Sequence, residues 1–83
     1  MKANLTVRID DSAVRRFQEM TSSEPFKLLT ERITAELKRA EEACVRETDD
    51  VALRRAQGAV VSLRTALGLP AILLAEMRRS NPV

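Results

Sequence analysis

Residues 51–67, VALRRAQGAVVSLRTAL, decide the fold. Their apolar members Leu53, Ala56, Val60, Leu63 and Leu67 recur at steps of three, four, three and four. That spacing lines one stripe of an α-helix and suits it to lie along another helix. The partner stripe stands upstream. Phe26, Leu29, Ile33, Leu37, Ala40 and Cys44 follow at steps of three, four, four, three and four, with Lys27, Glu31, Arg32, Lys38, Glu41, Glu42 and Arg46 on the opposite side.

No glycine or proline occurs between Phe26 and Gln57, so one continuous rod has to be weighed against two helices. The phase decides. Nine residues separate Cys44 from Leu53, and at roughly 100° per residue the second stripe of a continuous rod points away from the first. A fold-back at Thr48-Asp49-Asp50 brings the stripes together, and these residues cap helices well and sit poorly inside them. The pattern predicts an antiparallel helical hairpin of residues 24–47 and 50–67.

Working outward, Ser23 is the expected N-cap of the first hairpin helix, with Pro25 in its first turn, where proline lacks only an orphan N–H. Before it, Asp10, Asp11 and Ser12 supply cap chemistry for a short helix over 11–21 that puts Val14, Phe17 and, at its margin, Met20 on one face. Gly58 lies mid-helix at a cost of about 1 kcal/mol relative to alanine, and with Ala56 and Ala59 beside it, close approach of a neighbouring helix is the expected reason. Gly68 is expected to end the second hairpin helix and Pro70 to open a short helix over 70–79, with Arg78 and Arg79 at its C-terminal end. At about 1.5 Å per residue, the 24–47 helix outruns its 50–67 partner at the Phe26 end, and the two short helices are placed to cover that overhang. Residues 1–10, MKANLTVRID, alternate apolar Leu5, Val7 and Ile9 with Asn4, Thr6 and Arg8, the period of a strand. A lone strand needs a partner, so this arm is either a strand paired with another chain or a segment lying on the helices.

The totals exclude several functions. The chain has 83 residues, one cysteine and no histidine. A domain this small buries a modest core and gains from a staple or a partner. Cys44 alone cannot form an intrachain disulfide and fits a reducing compartment; on the apolar stripe it reads as a small buried hydrophobe. Without histidine there is no Ser–His or Cys–His pair and no ordinary zinc site, and neither glycine belongs to a phosphate-cradling loop. The expectation is a protein that is not an enzyme and has no cofactor or metal. Two phenylalanines, with no tryptophan or tyrosine, leave little for stacking single-stranded bases. No apolar run reads as a membrane span or signal peptide, so a cytoplasmic protein, in a cell or a virus-infected host, is expected. The pairs Arg15/Arg16, Arg54/Arg55 and Arg78/Arg79 are explained by solvated faces, with Asp11 and Asp50 one turn before the first two.

Two stretches resemble known families. NLTVRID followed by a helix with Val14 and Phe17 inward resembles the start of the ribbon-helix-helix (Arc/MetJ-type) DNA-binding family. That resemblance implies a dimer whose paired strands enter the major groove, with Asn4, Thr6 and Arg8 as base readers. The family's longer first helix and glycine-containing turn are missing here, and Pro25 and the long hairpin are foreign to it. Residues 24–70, with Phe26, the Thr48–Asp50 turn, Arg54-Arg55-Ala56-Gln57-Gly58 and Leu69-Pro70, resemble small all-helical proteins of tailed bacteriophages. That resemblance implies an accessory of virion assembly or a small binding protein.

The fold expected is therefore all-α, a long antiparallel hairpin flanked by two short helices, with the arm of 1–10 as a short strand or extension. The function expected is non-catalytic protein–protein association, as a component that pairs with itself in a dimer or larger assembly or docks on a larger protein, such as a bacteriophage virion protein. The expected binding residues are Leu5, Val7 and Ile9 in the arm, Phe17 in the first helix and Ile72, Leu73 and Met77 in the last. The alternative is a dimeric DNA-binding protein using Asn4, Thr6 and Arg8. A third reading is a small phage inhibitor of a host enzyme.

Overall fold

The computed structural model describes residues 9–80, and all regular structure among them is helical. Three helices follow in order: α1 (Asp11–Thr21), α2 (Glu24–Arg46) and α3 (Asp50–Ser80). Each begins on a side-chain cap. The Asp10 carboxylate accepts from the Ala13 amide at 2.8 Å, the Ser23 hydroxyl from the Phe26 amide at 3.4 Å, and the Asp49 carboxylate from the Ala52 amide at 2.9 Å. These bonds satisfy amides that the first turn of a helix leaves without a partner. Ser23 also donates to the Met20 carbonyl at 2.6 Å, so one hydroxyl joins the end of α1 to the start of α2.

The end of the chain differs from expectation. Gly68, Leu69 and Pro70 do not divide two helices; α3 runs through them without a break for 31 residues. Proline lacks an N–H and glycine adds backbone freedom, yet both stay helical, with no positive φ at either glycine. Tertiary packing of α3 outweighs the local propensity. The relative lengths are thereby reversed: α2 has 23 residues and α3 has 31, so α3, at ~46 Å, outlasts α2, at ~35 Å. The reason expected for Gly58 does not hold within the chain either. A methyl group built there meets nothing within 4 Å.

α2 and α3 share the largest interface, and α1 touches both. Arg64 of α3 reaches Glu41 of α2 at 2.8 Å across 23 residues of sequence. The apolar stripes read from the sequence are half-buried: Ile33, Leu37, Ala40 and Cys44 on α2, and Leu53, Ala56, Val60, Leu63 and Leu67 on α3. None is fully enclosed, and Cys44 is accordingly less buried than its position in the stripe suggested. Among the described residues the only buried hydrophobe is Met77, 6% exposed, in the part of α3 that outlasts α2. The molecule is elongated, 53 × 29 × 15 Å with a radius of gyration of 16.6 Å, against about 12 Å for a compact chain of this length.

No strand occurs among the described residues. Ile9 and Asp10 precede α1 outside regular structure. The strand pattern over Asn4, Leu5, Thr6, Val7 and Arg8 lies outside the described residues.

Candidate functional site

Three helices meet where α3 passes the start of α2, and they leave a recess of about 840 Å³ between them. α1 contributes Phe17 and Met20, because the 3.6-residue period that puts Val14 and Phe17 on one face brings Met20 to its edge. The first turns of α2 contribute Phe26, Leu29 and Ile33, the leading members of its apolar stripe. α3 closes the recess with Leu67, Leu69, Pro70, Ile72 and Leu73. Continuity of α3 through Pro70 therefore creates the far wall.

The lining is apolar to an unusual degree for a surface feature. Thr30 brings the one hydroxyl among the described lining residues, and that hydroxyl donates to the Phe26 carbonyl at 3.0 Å. Glu76 is the one charged residue among the described lining. Large side chains stay in contact with water here: Met20 is 47% exposed, Leu29 53%, and Leu69 and Ile72 52% each. A single exposed leucine on a protein surface is ordinary, whereas here the exposed apolar side chains are contiguous around one hollow.

The residues expected to bind a partner separate into three groups. Phe17, Ile72 and Leu73 come together on the recess wall, from two different helices. Met77 does not belong with them; it is the buried residue and offers no surface. Ile9 is half-buried ahead of α1 and is not on the recess wall. Leu5 and Val7, and the DNA readers Asn4, Thr6 and Arg8 of the alternative, lie outside the described residues. Phe26, Leu29 and Met20 belong to the site and were not among the binding residues expected from sequence. The signal for the first two was present, since they lead the α2 stripe past the end of its expected partner. Met20 had its own signal, three residues after Phe17 on the same face of α1.

Among the described residues no group of three or more His, Cys, Asp and Glu side chains is placed to hold a metal ion, and no buried side-chain polar atom lacks a partner. The charged side chains form ion pairs on the outer faces. Arg32 and Arg39 both reach Glu36 at 3.1 Å, and Lys27 lies 3.8 Å from Glu24.

By length and composition alone, the joined α3 is long and apolar enough to cross a membrane, because Gly68 and Pro70 do not split its two apolar halves. The same helix carries Arg64, ion-paired to the charged α2 that packs along it. Comparison of the chain with protein-family models, curated proteins and solved structures found no match.

Proposed function

We propose that this chain is a non-catalytic protein–protein association module, built on an antiparallel α2–α3 hairpin and docking an apolar helical surface in the recess beside α1. One observation carries the reading: a hollow of about 840 Å³ lined by Phe17, Phe26, Leu29 and Leu73, with its threonine hydroxyl already bonded to the Phe26 carbonyl and one carboxylate among its described lining residues. Small-molecule sites place a few converging polar groups to orient their ligand, and this lining offers almost none. An amphipathic helix needs no such groups, because its own backbone is already hydrogen-bonded and it contributes only side chains at i, i+3, i+4 and i+7. The hairpin supports the reading as a scaffold: the connection between α2 and α3 is three residues long and the two helices share the largest interface, which suits antiparallel neighbours. The resemblance of residues 24–70 to small phage proteins suits an accessory of virion assembly as the setting for such a module.

The experiment is selection of amphipathic helical peptides against the purified chain, with the bound site mapped by methyl and aromatic NMR shifts. Peptides that perturb Phe17, Phe26 and Leu73, directly or by displacing an occupant already there, support the reading. Leu73→Asp is expected to weaken them ~30-fold or more, the loss of one central apolar anchor. Peptides that bind only on other faces, or no peptide tighter than millimolar, count against it.

A further inference from the structure

We infer that the helix seated in the recess carries an arginine or lysine at one end of its apolar stripe, placed to meet the carboxylate of Glu76. The inference rests on the association reading above and names the chemistry of its partner. Glu36, Glu47 and Glu76 are the half-buried carboxylates among the described residues. Glu36 receives Arg32 and Arg39 at 3.1 Å, and Glu47 accepts from the Asp49 amide at 3.2 Å. Glu76 has no hydrogen bond or ion pair among the described residues, and Arg79, one turn further along α3, is exposed and not bonded to it. The half-buried carboxylate left without a partner is therefore the one on the recess wall.

Its position decides what can cover it. Glu76 follows Ile72 and Leu73 by four and three residues, so it stands one turn beyond them on the same side of α3. A partner that fills the recess takes water away from this wall. A wholly apolar partner strips the carboxylate and returns nothing, which opposes docking. An acidic partner adds like-charge repulsion. A cation at that point replaces the lost water with a charge-assisted hydrogen bond, in a setting drier than bulk solvent. Arginine fits best, because a guanidinium is weakly hydrated and can hold both carboxylate oxygens. Glu76 is also the last α3 residue on the wall, so the cation belongs at the end of the partner's stripe and not in its middle. One carboxylate thereby sorts amphipathic helices by charge, rejecting those that the apolar lining alone would accept.

Fluorescence anisotropy of the full chain with labelled helical peptides tests the inference. The peptides share leucines at i, i+3, i+4 and i+7 and differ only one turn beyond the stripe, where they carry arginine, glutamine or glutamate. A second set carries the same change one turn before the stripe, so that both docking directions are sampled. In one of the two sets, the arginine peptide is expected to bind the wild-type chain ~10-fold tighter than its glutamine twin and ~100-fold tighter than the glutamate one. That comparison needs no substitution in the protein. Glu76→Gln is expected to bring the arginine and glutamine peptides to equal affinity, and Glu76→Lys to reverse the order of arginine and glutamate. Perturbation of Phe17, Phe26 and Leu73 in NMR spectra places the peptides in the recess. Arginine and glutamine peptides that bind there equally well overturn the inference and leave the association reading standing, as does an arginine preference that survives Glu76→Gln. Failure of every peptide to enter the recess overturns both. Self-association of the chain through the recess, or binding of anionic vesicles in place of the peptides, gives the recess a different occupant and overturns the inference as well.

Discussion

On α2, Arg32 and Arg39 converge on Glu36 and Lys27 approaches Glu24, so its outer face is a run of short-range ion pairs turned to water. On α3, residues 57–75 contain a single charged side chain, Arg64, and it turns toward α2 to meet Glu41. The outward residues Val61, Leu69 and Ile72 are all more than half exposed. Thr65, also exposed, donates its hydroxyl to the Val61 carbonyl at 2.8 Å and so removes a polar group from that face. The outer face of α2 also exposes apolar side chains, Leu28 at 65% and Val45 at 86%, but they stand among charges along its whole length, whereas the middle of α3 has almost none. The difference lies in how charge is distributed on the two helices.

That contrast can be broken at several points. The largest expected effect is at Met77, buried on α3 where α2 has no buried residue. Met77→Ala is expected to destabilise by about 2–3 kcal/mol, the cost of emptying a buried site. An unchanged urea midpoint shows instead that the extension of α3 contributes nothing to the core. Pro70→Ala restores an amide inside α3 and is expected to stabilise by about 2 kcal/mol, somewhat less than the full helix-interior penalty of proline. A loss of stability in the same titration assigns the proline geometry a packing role.

Gly58→Ala separates the isolated chain from its assembly. Nothing lies within 4 Å of the added methyl group, so thermal unfolding of dilute protein is expected to show a gain of about 1 kcal/mol from helix propensity. If instead the melting temperature falls at all concentrations, the space around Gly58 is not open. The smallest effect belongs to α2. Glu36→Gln removes the shared partner of two arginines, and the expected loss is ~0.5 kcal/mol, fading in high salt as exposed pairs do. A larger, salt-independent loss gives the α2 face a structural role that this comparison denies it.

The helical class was legible because the stripes from Phe26 to Cys44 and from Leu53 to Leu67 repeat at the helical period, and because Asp10, Ser23 and Asp49 stand where amides need acceptors. Two features were not. Gly68 and Pro70 carry strong local stop signals, yet α3 runs through them while it packs on both α1 and α2; contacts of that kind are not written in a window of ten residues. Met77 shares its spacing with Ile72 and Leu73, so periodicity placed all three on one surface, whereas docking of α1 against α3 separates a buried residue from two recess residues. Phe17, Ile72 and Leu73 were legible as unpartnered apolar side chains, but that they share one hollow follows from the length of α3.

Pro70 has a consequence for motion. Its missing N–H leaves the Ala66 carbonyl without the usual helical donor, and Gly68 sits between the two. Bending of α3 is therefore easiest over these five residues, which are also the span that joins the α2-facing half of the helix to the far wall of the recess. A few degrees of flexing there widens or narrows the hollow while leaving the Glu41–Arg64 pair in place. In hydrogen-exchange terms, the amides that follow Pro70 are expected to open on a faster clock than those around Leu63, and seating of a partner in the recess is expected to slow them first.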